Sequence, residues 1–310
     1  MKQILTRLVL TIPVVWLVVS LVFLLIHLVP GDPIQMMLGE GATPADIGAL
    51  RHQLGLDLPL HTQYIGYWSG VLHGDLGNSI RLHDSVSHLI AMRYPYTLAL
   101  TLAALVLALV LAVPAGILAA VERGRWIDQV LSVVSLFGLS VPVIALGPVL
   151  ILVFSIALGW LPVSGANAGG TNSIDWRYLV LPSVAMGASL AAILTRMVRT
   201  AMLEELGQDY IRTARAKGLS ETAVVYRHAL PNALVPIVTL IGLQFGVLLA
   251  GAVVTEKIFS WPGMGRLVVD SIANRDYALV QGCLLSIGLT YVLVNLMTDV
   301  VYRWINPRMR

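Results

Sequence analysis

The sequence predicts an all-α membrane protein with six transmembrane helices and both termini in the cytoplasm. Three observations carry that expectation. Of 310 residues, 57% are hydrophobic and only 12% charged, whereas soluble domains carry roughly 25% charge. Six apolar runs are long enough to cross a bilayer, and most Lys and Arg residues fall on one side of them.

A spanning helix needs about 20 apolar residues, and an Arg or Asp at its centre costs about 2.5–3.5 kcal/mol. Runs that meet this requirement lie at about 8–29, 97–121, 130–158, 178–195, 232–255 and 277–298. The first is too long and too hydrophobic for a signal peptide. The Pro-Gly-Asp-Pro at Pro30 to Pro33 offers no small-residue cleavage site, so it reads as a retained helix. Placing the amino terminus inside puts 13 of the 20 basic residues on the cytoplasmic side, with Arg123, Arg196, Arg212, Arg227 and Arg303 among them. Seven basic residues remain outside beside ten of the 17 acids. That asymmetry sets the orientation.

The whole chain, 1–310, reads as a single transmembrane domain with two elaborated connections. Residues 30–96 form a long outer loop, in which LGLDLPLHTQYIGYWSGVLHGDLG is expected to pack as short helices on the membrane face. Residues 196–231 form the largest inner loop. Pro114, Pro142, Pro148, Pro182 and Pro236 lie in or at the ends of the apolar runs, accompanied by Gly116, Gly138, Gly147, Gly242, Gly246 and Gly251. Such breakers are tolerated where neighbouring helices or a water-lined path satisfy the freed backbone, and small residues let helices approach closely. Together they favour a bundle with moving parts over a simple anchor.

The inner loop carries the strongest local signal. DYIRTARAKGLSETAVVYRHALPNALVP reads as two short helices, with Asp209 capping the first, Gly218 closing it and Ser220 capping the second. Pro231 marks entry to the fifth span. Arg212, Arg215 and Lys217 give the first helix its polar faces, and Tyr210, Ile211, Ala214 and Leu219 supply apolar surface. A basic amphipathic helix held between two spans suits docking on another protein or on a lipid surface.

RTARAKG, followed by nine residues and then HALP, resembles the loop signature of permeases of ATP-binding-cassette importers: Glu-Ala-Ala, three residues, Gly, nine residues, Ile, any residue, Leu-Pro. Arg212, Thr213 and Ala214 fall on the first triplet, Gly218 on the Gly, His228 on the Ile, and Leu230 and Pro231 on Leu-Pro. Arg212 and His228 depart from the general pattern. DYIRTARAKG is similar to the dipeptide and oligopeptide (peptide/nickel) subgroup, and the likeness extends to LVPGDP at Leu28 to Pro33, LGLDLPL at Leu54 to Leu60, HGDLG at His73 to Gly77, TEKIFSWPGMGR at Thr255 to Arg266, RDYALVQG at Arg275 to Gly282 and NPR at Asn306 to Arg308.

The resemblance implies a type I importer permease in a bacterial inner membrane, moving peptides by alternating access. It implies that Asp209, Tyr210, Arg212, Thr213, Ala214, Arg215, Lys217, Gly218, Leu230 and Pro231 belong to a coupling element that meets a cytoplasmic ATPase. The implied partners are a second, homologous permease, two ATPase subunits that bind ATP and Mg, and a periplasmic solute-binding protein meeting the outer loops, including Trp261 to Arg266. Nickel or glutathione permeases of the same family are the alternative cargo readings.

The residues exclude other chemistry. With Lys2, Lys217 and Lys257 the only lysines, the chain has no phosphate-cradling G-x-x-x-x-G-K-[ST]. It has no H-E-x-x-H or G-x-S-x-G and no intramembrane carboxylate pair, which counts against the competing reading of a membrane-embedded enzyme. Asp299 beside Arg303 reads as an interfacial ion pair. Cys283 lies alone in an apolar stretch and reads as a small buried hydrophobe, which leaves no thiolate metal site. His52, His61, His73, His83 and His88 cluster in the outer loop at spacings that make no local chelate, so no metal or cofactor is expected in this chain. The scattered basic residues are topology signals, with lipid rather than nucleic acid as partner. Gln244, Thr239, Ser135 and Asn295 are the uncharged polar span residues that could face a path or bond across helices.

Overall fold

The computed structural model describes residues 2–28, 34, 38, 43–53, 55–168 and 173–305. Their helices are α1 (Lys2–Leu28), α2 (Pro44–Gln53), α3 (Leu60–His73), α4 (Val86–Val121), α5 (Trp126–Ser140), α6 (Val143–Leu150, continuing as a π-helix through Ile151–Ala157), α7 (Trp176–Leu206), α8 (Asp209–Ala216), α9 (Leu230–Ile258), α10 (Met264–Ala273) and α11 (Tyr277–Ile305). Among the described residues, α4, α7, Leu240–Ile258 of α9 and Tyr277–Thr298 of α11 are each long and apolar enough to cross a membrane. Helix α1 carries a shorter apolar stretch, Val9–Leu25.

The run expected as one span at 130–158 is broken. Helices α5 and α6 pass the span criterion together but bend by 101°. Pro142 is the cause: its ring disfavours helical geometry at the residue before it, and Val141 sits extended at φ −87, ψ 114.

The chain forms two compact units, one of residues 1–95 with 262–293 and the other of 96–261 with 294–310. In the first, α2 and α3 are the short helices expected in the outer loop. Helix α3 packs on α1 through Phe23, whose ring meets Tyr64 edge-on at 5.2 Å, and through Ser20, whose hydroxyl lies 2.7 Å from that of Tyr64. Gln281 of α11 donates to the Val22 carbonyl at 3.0 Å. Val86, Ile90, Met264, Val268, Leu279 and Cys283 form a buried cluster. Ser79 donates to Asp276, whose other oxygen accepts the Leu279 amide at 3.2 Å and so caps α11.

In the second unit, α4 buries Leu100, Ala104, Ala108 and Ala112. The four-residue interval places them along one face, and their small size lets α7 come close. A Cβ on Gly187 would lie 2.8 Å from the Ala104 carbonyl oxygen, and one on Gly116 would lie 2.5 Å from Val198 Cβ. Ala233, Ile237, Leu248 and Ala252 bring α9 into the same core. Val110, Val134, Phe137, Ile156 and Val247 are all more than half exposed. An apolar exterior over a small-residue interior is the pattern lipid demands.

Candidate functional site: the loop between α7 and α9

Helix α8 is short and firmly seated. Ile211 and Ala214, three residues apart, are buried on its inner face, while Arg212, Thr213, Arg215 and Lys217 stay exposed. The expected cap is corrected: Gln208, extended at ψ 152, precedes the helix, and Asp209 is its first residue. The Gln208 carbonyl already takes the Ile211 and Arg212 amides, at 3.1 and 3.3 Å, so a capping carboxylate at Asp209 is not needed. Asp209 instead lies 3.3 Å from the Arg212 guanidinium, beside the positive end of the helix.

Gly218 ends the helix at φ +80, a left-handed conformation that glycine adopts without penalty. The Ser220 hydroxyl accepts the Ala223 amide at 3.4 Å, as the sequence suggests. The second short helix is not a separate one, however. Glu221–Ala223 runs through a π-helical stretch, Val224–Ala229, directly into α9, with helical dihedrals at Ala223, Ala229 and Leu230. Leu230 N–H bonds Val225 O, five residues back. Pro231 has no N–H to give the preceding turn and crowds it, and a widened turn relieves both problems.

Arg215 and Glu221 join across Gly218 in a side-on pair, Nε to Oε1 at 2.7 Å and Nη2 to Oε2 at 3.1 Å. Those bonds hold the Glu221 carboxyl below the usual carboxylate range and strengthen the Arg215 cation in turn. The pair fastens α8 to the start of the helix that becomes α9. Beside it, a cavity of about 290 Å³ opens between the ends of α4 and α7, lined by Arg123, Leu206, Arg215 and Val225 among others. The loop residues read from the sequence, Asp209 to Gly218 with Leu230 and Pro231, thus form one rigid element.

The proposed path residues do not gather in this way. Ser135 is buried and spends its hydroxyl on the Leu131 carbonyl of its own helix at 2.8 Å. Gln244 and Asn295 are half-buried. The Thr239 and Asp299 side chains, Pro30 to Pro33 and Asn306 to Arg308 lie outside the described residues.

Trp261 to Arg266, expected among the outer contacts, faces inward. Trp261, Gly263, Met264 and Gly265 are buried, and the Trp261 indole donates to the Tyr96 carbonyl at 2.9 Å. A large aromatic side chain whose polar edge is bonded belongs to the core. Arg266 remains partly exposed.

Sequence reading also missed two buried acids and the polar links they make. Asp128, 5% exposed, takes Arg199 in a bidentate pair at 2.6 and 2.8 Å and the Gly124 amide at 3.0 Å, tying α5 to α7. Glu256, fully buried near the end of α9, accepts from Thr97 of α4. A helix-facing acid next to a Gly turn is a usable signal for Asp128; nothing local marks Thr97 as the partner of Glu256. Among the outer-loop histidines, His52 and His88 pair with Asp57 and Asp84 at 2.7 Å, and the bond from Asp57 raises the His52 pKa. Among the described residues, no three acidic, His or Cys side chains converge as metal ligands.

Long apolar helices, one of them a bent pair, and a basic helix braced between two of them define a multi-pass membrane protein. Residues 112–310 match the family described as "Binding-protein-dependent transport system inner membrane component", and residues 1–101 match the family of its N-terminal part. The chain belongs to this family and is a permease subunit of a binding-protein-dependent importer of the ATP-binding-cassette class. It is 45% identical over 310 residues to the glutathione transport system permease protein GsiC of Escherichia coli O6:H1, and equally to that of Salmonella typhi, covering 100% of this chain and 99% of each relative. The fold is similar to a solved chain of the MetNI methionine ABC transporter in inward-facing conformations, with a TM-score of 0.59 and 20% identity over 70% of this chain and 96% of that one.

Proposed function

We propose that this permease carries short peptides, including glutathione-like tripeptides, inward across the bacterial inner membrane. In this reading α1 and the bent α5–α6 pair each count as one crossing, giving a single permease domain of six spans with both termini cytoplasmic. The excess of Lys and Arg on the loops assigned to the inside supports that orientation. A second, homologous permease completes the alternating-access path, a periplasmic solute-binding protein delivers cargo to the outer loops, and two ATPase subunits bind ATP and Mg.

The observation that carries the proposal is the seating of α8. Its inner face is locked by Ile211 and Ala214, while Arg212 and Lys217 are presented outward. A rigid projection joined to two spans converts a push from a partner into helix tilting. Full-length identity to glutathione permeases supports the cargo class, and nickel is the competing cargo.

The test is affinity purification from mild detergent, comparing wild type with Arg212→Glu/Lys217→Glu. These two positions are preferred because Arg215 is committed to Glu221, so reversing it would disturb the loop itself. An ATPase and a second permease should accompany wild type, and the ATPase should be lost from the variant. Failure of both partners to accompany folded wild type rejects the assembly. Uptake of labelled glutathione, challenged with dipeptides and with nickel ions, separates the cargo readings; nickel uptake that peptides leave unaffected rejects the peptide assignment.

A further inference from the structure

The ends of α7 and α9 meet at one oxygen. Tyr210, the second residue of α8, donates its hydroxyl to Glu205 in the last turn of α7. The same oxygen accepts Asn232 Nδ2, in the first turn of α9, at 3.0 Å, and lies 3.4 Å from the His228 carbonyl. A phenol has a single proton, and here it goes to a carboxylate, which makes that bond charge-assisted and roughly twice as strong as a neutral one. At the other end of α8, Arg215 grips Glu221. Each clamp bridges a glycine, Gly207 between Glu205 and Tyr210 and Gly218 between Arg215 and Glu221, where the backbone has the most conformational freedom.

We propose that Tyr210 is a positioning residue for energy coupling: its hydroxyl fastens α7 to α9 through α8, so that force on α8 moves the two helices as one body. The proposal rests on α8 being the helix that meets the ATPase. Without the hydroxyl, the Arg215–Glu221 pair still links α8 to α9, but α7 keeps only the non-directional packing of Ile211 and Ala214 and the backbone at Gly207. The two helices then move out of step under load and stay in place at rest. Tyr210→Phe isolates this role because it keeps the ring and deletes one oxygen.

The experiment uses the assembled importer with its ATPase subunits in lipid nanodiscs, in a Cys283→Ser background. Nitroxide labels are placed at Thr200→Cys on α7 and Leu243→Cys on α9, both exposed. Pulsed electron resonance gives the distance distribution without nucleotide and after trapping with ATP and vanadate. Wild type should show equally narrow distributions in both states, and Tyr210→Phe should match it without nucleotide but broaden at least twofold when trapped. Glu205→Gln, which keeps an acceptor oxygen, should behave as wild type, and Glu205→Leu as Tyr210→Phe. A trapped Tyr210→Phe sample as narrow as wild type overturns the proposal. So does broadening in both states, which reports local loss of fold rather than a coupling role. Absence of the ATPase from wild-type preparations overturns the docking reading instead, and is seen before any label is measured.

Discussion

Gly282 is where the packing of the first unit has least room. A Cβ there would fall 2.3 Å from Val86 Cγ1, 3.2 Å from Ile90 Cδ1 and 3.6 Å from Leu76 Cδ1. Non-bonded carbons are comfortable at about 3.5–4.0 Å, so Gly282→Ala forces a separation of more than an ångström. Val86 has little room to turn aside, because it is fully buried and stiff at χ1. Overpacking costs about 1–3 kcal/mol, and the better helix propensity of Ala returns about 1. The expected net is a loss of about 0–2 kcal/mol. Val86→Ala removes the obstructing carbons, so in that background Gly282→Ala should be neutral or stabilising. The coupling between the two sites should be about 1–3 kcal/mol, the overpacking cost that Val86→Ala removes.

Cys283, the only cysteine, is fully buried beside this contact and serves as the probe. A thiol-reactive fluorophore added during a thermal ramp in detergent reports when that packing opens. Domains of about 150–250 residues shift by roughly 2–4 °C per kcal/mol, so Gly282→Ala should melt up to a few degrees below wild type. Equal cost of Gly282→Ala in the wild-type and Val86→Ala backgrounds would refute the steric account. So would labelling of Cys283 in the native state at the rate of an exposed thiol.

In the second unit, Arg199→Ala should cost about 1–3 kcal/mol, because it leaves the Asp128 carboxylate with the Gly124 amide and without its cation. The double variant Asp128→Ala/Arg199→Ala should recover part of that loss, measured as the folded fraction by size exclusion after heating. Gly187→Ala, whose Cβ would meet backbone at 2.8 Å, should destabilise by about 1–3 kcal/mol. Gly251→Ala, with nothing within 4 Å, should be neutral or gain up to about 1 kcal/mol; the same heating assay separates the two. The Arg215–Glu221 pair should hold above the ordinary Glu range and be lost as pH falls through the depressed Glu221 pKa. ATPase co-purification should therefore be flat from about pH 6 to 8, and a midpoint in that window would exclude the pair as the loop's fastening.

What the sequence makes legible follows from how local the physics is. Span positions depend on runs of about 20 residues, and α4, α7, α9 and α11 form where those runs lie. The loop element was equally readable, because Gly218 ends a helix and Ser220 starts one through backbone preferences of a few residues. The break at Pro142 was harder: proline inside a membrane helix is often tolerated, and whether it kinks or breaks the run depends on what satisfies the freed backbone. The inward turn of Trp261 rests on a hydrogen bond to Tyr96, 165 residues away. Links of that range leave no mark on local pattern, and Thr97 with Glu256 at a separation of 159 is the same case. The polar path residues were illegible for a different reason. A hydroxyl such as that of Ser135 can bond its own helix four residues back, and that option is open at every Ser and Thr of a span. Tyr210 lies between these extremes. Its partners Glu205 and Asn232 are 5 and 22 residues away, close enough in sequence to belong to one loop, yet they come together only across the Gly207 and Gly218 turns and the π-helical stretch Val224–Ala229. A mutation that restored a regular helical turn there, such as Pro231→Ala, would leave every residue of the loop signature but one in place and still move Asn232 off the phenol.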